Sequence, residues 1–439
     1  MGLEEQNAFQ QRLFWAALRA MQLGIKIDPT AKADITQELD AAMDTTKVWI
    51  ETVLGHTINL RSPKQMLTLF YTDLAQKVVL TRAKPGQPPR PTTDDEALDT
   101  IAKREPLLKP LCHKILHWRS LATFRDNFME ARLDEEGRMG SSFNICGTET
   151  YRFSSSENAF GVGMNLQYIP HPGSRSLIKA LERGETLPNV KRMFVPDEGY
   201  TFFEEDLDRA EFYVVVWEAD DKELKLALHK GIDIHCFTAC DLYQIKGIPP
   251  EELTETHANY KEHRARIGGK RDYAKRIVHA LDNTGTAKTV SATLGTTLQE
   301  AQRFIDNWFG AHPGIPRWHA RVKTQLGVGK IPCVSNAFGY KRFYFDRHDT
   351  ILGNAAAWIP QSTVACVINR AWVNLCEQLP EVQVLLQVHD SLGGQFKTAD
   401  TTRLLPRINE LSLITVPYPD PLVIPISIKT SPVSWGDCH

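Results

Sequence analysis

YTFFEEDLDRAEFYVVVW, residues 200–217, is the stretch on which the reading of the fold turns. It reads as a strand followed by a more continuous apolar run. Alternate residues of a strand share a face, so Glu204, Asp206 and Asp208 are expected to point together. Three like charges on one face repel unless water or a cation lies among them. Taken alone, an exposed edge strand is the plainer account. A second segment changes the balance. VQVLLQVHDSLGGQF, residues 382–396, reads as two strands joined by a tight turn at His389-Asp390, and it is apolar enough to require burial. Asp390 at the tip is either a solvated turn residue or, paired in space with Asp206, half of a two-carboxylate site. Such a site suits hard divalent cations, which prefer oxygen ligands. Two metals about 4 Å apart activate an attacking oxygen and stabilise a leaving one.

A third segment is cationic. In RDYAKRIVHALDN, residues 271–283, Arg271, Lys275, His279 and Asn283 recur every four residues. Each step drifts by about 40° and rises about 6 Å, so the four form one stripe about 18 Å long on a single helix. Arg suits bidentate phosphate contact and Lys a point-charge contact. The plain alternative is a solvated helix face. Lys261, His263, Arg264, Arg266 and Lys270 extend the positive character upstream, with Glu262 the only acid among them. This is a local patch in a chain whose formal net charge is only −2, so any polyanionic partner must be met locally.

Around these segments, 42 % apolar and 24 % charged residues in 439 exclude a disordered tail protein. The length suggests roughly three domain-sized units. Residues 8–23 and 30–54 predict helices, Ser62-Pro63 predicts a helix start, and helical pattern resumes over 96–132. The Pro-rich stretch 84–95 reads as an exposed loop. Residues 218–330 again look helical, and VIPISI near the C-terminus looks β-like. The sheet is therefore expected to be assembled from distant segments. The eight cysteines contain no C-x-x-C pair; His235, Cys236 and Cys240 read as ordinary helix residues rather than a zinc set. Reduced thiols and a charged N-terminus predict a cytoplasmic protein without a signal peptide. No apolar run approaches 18 residues, so no membrane span is expected.

TYRFSSS (150–156) and MNLQYIP (164–170) offer small hydroxyls, Arg152, Asn165 and Gln167, a kit for phosphate, sugar and base-edge contacts. By composition alone this is a polar loop. In order along the chain, however, these segments resemble the polymerase domain of family A DNA polymerases, the DNA polymerase I type. TYRFSSS…NLQYIP is similar to that family's T-G-R-L-S-S…N-L-Q-N-I-P. DLDRAE resembles its motif A, D-Y-S-Q-I-E. RDYAKRIVH fits the R-x3-K-x3-aromatic of motif B, and QVHDS resembles motif C, Q-V-H-D-E. MQLGIKID, NLRSPKQM, GIDIH, PQSTVA and the terminal SWGDCH are weaker echoes, so the resemblance covers essentially the whole chain. PQSTVA and HALDN look more like phage members than bacterial ones.

The resemblance implies an α+β right-hand polymerase fold: a helical thumb over 1–138, a palm over 139–230 and 351–439 with an antiparallel sheet, and helical fingers over 231–350. It implies template-directed addition of deoxynucleotides to a primer 3′ end with two Mg²⁺ ions, Mn²⁺ being able to substitute. Asp206 and Asp390 would hold the metals, assisted by the Leu207 carbonyl. Arg271, Lys275 and His235 would grip the triphosphate, with Lys275 also protonating the leaving pyrophosphate. Arg152 and Gln361 would read minor-groove acceptors, Ser154, Asn165 and Gln167 would contact DNA, and His389 would sit near the primer terminus. Glu211 would exclude a ribose 2′-hydroxyl, which points to DNA rather than RNA synthesis.

Three positions depart from the family pattern. Ser391 replaces the acid after the motif C aspartate. His279 stands where an aromatic ring is usual. Asn283-Thr284 replaces Tyr-Gly, and Asn283 is expected to hydrogen-bond Glu211 in the tyrosine's stead. The thumb-like pattern begins within the first ten residues, so no 3′–5′ exonuclease is expected in this chain; a separate exonuclease or replisome proteins would be partners of a monomer in the cytoplasm, the host's if phage-encoded. Two other readings are carried along: a single-subunit RNA polymerase or primase-like enzyme, favoured by Ser391, and an inactive primer–template-binding scaffold, favoured by the altered end of motif B.

Overall fold

The computed structural model describes residues 2–81, 88–169, 180–181, 184–345 and 351–438. Lys84–Gln87 of the Pro-rich loop, Pro170 of NLQYIP and the terminal His439 lie outside them. The chain divides into two compact units, each built from separated stretches: one from residues 1–20, 143–154 and 204–429, the other from 21–142, 155–203 and 430–439.

The second unit is mainly helical. After α1 (Leu3–Leu23) come α2 (Pro29–Leu54), α3 (Pro63–Thr68), α4 (Asp95–Arg104) and α5 (Lys109–Phe124). Their ends are written locally. Asp28 caps α2 through Thr30 and Ala31 N–H groups with Pro29 in the first turn, and Gly55 closes it in the left-handed conformation at φ 74°. Ser62 caps α3 ahead of Pro63. The helical pattern expected over 96–132 is divided between two α-helices. Pro106 disfavours helical backbone at Glu105, which sits at φ −122° and ψ 89°, and the helix restarts at Lys109 before ending in a widened turn over Arg125–Met129. Ile50, Met66, Phe70, Leu98, Ile115 and Leu116 form the core of this unit. The chain's last residues join it: Trp435 is fully buried, its ring 5.9 Å from Phe202 and 5.6 Å from Phe194. Gly436 is needed beside them, because a Cβ there would lie 2.7 Å from the Arg192 nitrogen.

The first unit holds the sheet that carries the acidic segments. Strand β1 (Tyr200–Leu207) runs into α6 (Ala210–Ala219), followed by α7 (Lys222–His229), α8 (Ile234–Tyr243), α9 (Tyr260–Ile267), α10 (Lys270–Asp282), α11 (Ala287–Leu294), α12 (Leu298–Ala311) and α13 (Gly314–Leu326). The long α14 (Ile351–Gln378) leads to strands β2 (Gln383–Val388) and β3 (Ser391–Lys397), then α15 (Thr401–Ser412) and β4 (Ile426–Ser431). The order across the sheet is β4-β1-β3-β2, so motif A and motif C strands are neighbours although nearly 200 residues apart. β2 and β3 form the expected antiparallel hairpin, from Gln383 opposite Gln395 to Val388 opposite Ser391. Helix α14 corrects one expectation. It is long and apolar enough to cross a membrane, because Asn, Gln, Ser and Thr dilute its apolar residues without adding charge; yet most of its apolar window is buried, with Trp358 and Trp372 in the core. The architecture is the expected α+β one, mostly helical around a four-stranded sheet.

Candidate active site

Strand β1 and the β2–β3 hairpin meet at their ends. The Leu207 N–H donates to the Asp390 carbonyl at 3.2 Å, and the Asp208 N–H to the Pro425 carbonyl at 2.9 Å. Asp206 and Asp390 are thereby carried on bonded backbones at one end of the central strands, Asp206 exposed and Asp390 half-buried. The turn is tight: His389 adopts φ 56°, and the Gln387 side-chain amide donates to its carbonyl at 2.9 Å. The expected trio of acids is only partly assembled. The strand stops at Leu207, so Asp208 lies in the turn beyond it, 3.1 Å from Arg209. Glu204 and Asp206 share a face, while Glu205 points the other way into the core. Among the described residues no three His, Cys, Asp or Glu side chains gather into a metal cluster. The oxygen donors here are two carboxylates and the Leu207 carbonyl. That set fits Mg²⁺, which takes one or two carboxylates and fills its shell with water and phosphate oxygens.

The cationic stripe forms as the spacing predicts, on α10. Arg271 and Asn283 are half-buried; Lys275 and His279 are exposed. Arg271 is fixed from below by Asp233, whose Oδ2 accepts from Nε at 2.9 Å. Asp233 is buried and accepts much more: the His235 and Cys236 N–H groups that it caps on α8, the Cys236 thiol, and the Tyr260 hydroxyl at 2.8 Å. Burial opposes its charge, but the Arg271 and Tyr260 bonds win and hold its carboxyl well below the usual range. His235 shows the sign of the local field. Burial, then the charges of Lys275, Arg271 and Arg209, push its imidazole down to about 3, so it is neutral at physiological pH. Three cations around a neutral ring make a place for a polyanion.

Glu211 lies in the first turn of α6, and its carboxylate accepts from Arg152 Nη2 at 2.5 Å. The bond expected from Asn283 is not made. Asn283 ends α10, and its amide donates back to the His279 carbonyl at 2.9 Å. Ser154 is packed against Gly147, where a Cβ would come 1.9 Å from its hydroxyl. Gln361 is half-buried on α14. Asn165 and Gln167 belong to the other unit, where Asn165 Oδ1 accepts from the Ser155 hydroxyl and the Gln167 N–H in a local turn. Upstream, part of the basic patch is turned inward: His263 meets Glu252 at 2.6 Å, and Arg266 donates to the Lys246 carbonyl. All eight cysteines are free thiols, and burial pushes that of Cys236 up to about 12.

Two residues of this region escape a reading by motif. Asp233 precedes Ile234 as an ordinary helix cap, and its grip on Arg271 is spatial. Asp282, buried at the end of α10, has its carboxyl raised well above the ordinary value by desolvation; nothing in the sequence distinguishes it from a surface acid.

The family described as DNA polymerase family A matches residues 30–431. DNA polymerase I of Geobacillus stearothermophilus is 26% identical over 402 residues, 88% of this chain and 41% of that protein. DNA polymerase I of Treponema pallidum is 26% identical over 440 residues, 96% of this chain and 39% of that one. The chain thus spans about two-fifths of the length of these relatives. Among solved structures, the POL domain of Pol1 from M. smegmatis, in complex with DNA primer-template and dNTP, superposes with a TM-score of 0.78 at 20% identity, covering 97% of this chain and 70% of that one. With a strand-and-hairpin acidic edge, a cationic helix and a family match along nearly its whole length, the chain belongs to DNA polymerase family A.

Proposed function

We propose that this chain performs template-directed DNA synthesis, adding deoxynucleotides to a primer 3′ end. The observation that carries the reading is the Leu207–Asp390 backbone bond, which sets the two acidic segments side by side, with Arg209 two residues beyond Leu207 contributing to the positive field at His235. Asp206, Asp390 and the Leu207 carbonyl are the ligands for a pair of divalent cations, Mg²⁺ with Mn²⁺ as a substitute. When bound, such cations polarise the attacking 3′ oxygen and the leaving phosphate oxygen. Arg271, Lys275 and neutral His235 hold the triphosphate in line, and Lys275 is the acid that gives a proton to departing pyrophosphate. Phosphoryl transfer asks chiefly for such positioning and charge stabilisation.

The remaining residues select and align. His279 underlies the sugar or base, Asn283 closes the end of that surface, and Glu211 fills the space a ribose 2′-hydroxyl would need. Arg152 and Gln361 meet minor-groove acceptors, Ser154, Asn165 and Gln167 contact the DNA, and His389 lies by the primer terminus. In this reading residues 1–138 are the thumb, 139–230 and 351–439 the palm, and 231–350 the fingers. The chain works as a monomer in the cytoplasm, and proofreading, where needed, comes from outside these 439 residues.

A primer-extension assay tests this. It uses a recessed DNA primer–template, Mg²⁺ and either dNTPs or rNTPs, with Asp390→Ala as control. Extension with dNTPs alone, abolished by Asp390→Ala, is expected. Extension with rNTPs would overturn the reading of Glu211, and salt-sensitive binding without extension would make the chain an inactive scaffold.

A further inference from the structure

A glutamate that excludes a hydroxyl must be held still. Glu211 has three rotatable side-chain bonds and is only half-buried, so packing alone does not fix its carboxylate. We propose that Arg152 is the positioning residue for Glu211, fixing the carboxylate at the sugar pocket in place of any bond from helix α10. The inference rests on the reading of the chain as a DNA polymerase with Glu211 at the sugar.

The geometry supplies both halves of the argument. Arg152 Nη2 lies 2.5 Å from Glu211 Oε1, and the two side chains are 26% and 24% exposed. A partly desolvated, charge-assisted bond of this kind is stronger than a surface pair. The guanidinium is also delivered from a fixed base. Thr148 Oγ1 donates to the Arg152 carbonyl at 2.7 Å, and Asn369 Nδ2 to the Tyr151 carbonyl at 3.3 Å. On one side of Arg152 the Tyr151 ring meets Tyr340 at 4.7 Å and Trp358 at 6.4 Å. On the other, Phe153 meets Trp372 at 5.3 Å. Tyr151 is held at φ 62°, a left-handed backbone that a tyrosine adopts only when its surroundings enforce it. The segment is thus clamped on both sides of the arginine.

Helix α10 offers Glu211 no alternative. Asn283 spends its amide on the His279 carbonyl. Without Arg152, the half-buried Glu211 carboxylate loses its cation and swings toward solvent. The bond runs through one terminal nitrogen, so a lysine reproduces its charge but not its planar reach.

The test is a double-variant cycle on the full chain. Single-nucleotide insertion on a recessed primer–template gives kcat/KM for a dNTP and the matching rNTP, and the ratio is the readout. Arg152→Gln is expected to lower the ratio about tenfold, Glu211→Ala at least as far, and Arg152→Lys less than Arg152→Gln. In the Glu211→Ala background, Arg152→Gln should lower the ratio no further. A ratio unchanged by Arg152→Gln and Arg152→Lys, while Glu211→Ala lowers it, overturns the proposal and leaves the reading of Glu211 standing. Additive losses in the double variant also overturn it. A ratio unchanged by Glu211→Ala overturns both. If Arg152→Gln extends no primer, Arg152→Lys alone decides: a lowered ratio supports the proposal, and the wild-type ratio overturns it.

Discussion

Glu205 and Asp206 are adjacent on β1, and the two faces of the strand give their carboxyls opposite tasks. Asp206 is exposed near the end of the strand. Glu205 is buried, accepts the Ser412 hydroxyl at 2.7 Å, and is pushed up to about 7 by desolvation. The folded chain therefore keeps a proton that the unfolded chain gives up at about 4.5. Stability falls as pH rises from about 4.5 to 7, and the penalty is full above that. Glu205→Gln keeps an acceptor for Ser412 and removes the penalty. It should stabilise the protein by on the order of 2 kcal/mol at pH 8 and by little at pH 4, measured by urea unfolding at both values. His312 works in the other direction. Its buried ring lies 3.4 Å from Asp221 and 3.2 Å from Asp241, and despite burial these carboxylates raise it to about 9. The stabilisation is complete below about pH 6.5 and disappears as pH rises through about 9. His312→Gln should cost ~3 kcal/mol at pH 6 and flatten the decline between pH 6.5 and 9 in the same unfolding series.

At the scale of elements, the joint between α8 and α10 governs the cationic site. Asp233 caps the first helix and grips Arg271 on the second, so one carboxylate sets both a helix start and a guanidinium. Asn is as good a cap as Asp but cannot complete the ion pair. Asp233→Asn should therefore lower the melting temperature at neutral pH, because a carboxyl held below its usual range stabilises the fold, and raise KM for dNTP about tenfold with a smaller change in kcat; thermal unfolding and steady-state insertion kinetics check this. The hairpin and the α10 stripe were legible in the sequence because both are local signals: an apolar run broken by a tight turn over 382–396, and a four-residue period from Arg271 to Asn283. The cap at Ser62 was legible because Ser before Pro is itself a local signal; that at Asp28 was not read. The partners of Glu211 and Asn283 were not. Arg152 lies 59 residues before Glu211 in the chain, and the choice between it and Asn283 is made by packing around Tyr151 and by the turn that ends α10. The break at Glu105-Pro106 was written in the sequence, yet the strong apolar pattern on either side masked it.

At the scale of the whole molecule, the chain visits each of its two units more than once. That was only half legible: distant strands were expected to share a sheet, but nothing in SWGDCH indicates that Trp435 completes the unit built mainly from residues 21–142. Trp435 is buried against Phe194 and Phe202, with the Lys191 ammonium 4.2 Å from its ring centre. Trp435→Ala should cost about 3–5 kcal/mol, lowering the melting temperature. In limited proteolysis the earliest new cuts should fall in that unit.

The placement of Trp435 also bears on how the protein is made. A ribosome releases a chain from its N-terminus at roughly 5–20 residues per second, so residues 21–142 emerge long before position 435. For that interval the helices can gather around Phe70 and Ile115, but the surface of Phe194 and Phe202 that awaits the tryptophan stays open. A chain lacking residue 435 would be trapped in this state. Synthesis through Trp435 is thus a folding step in its own right for the unit that waits on it.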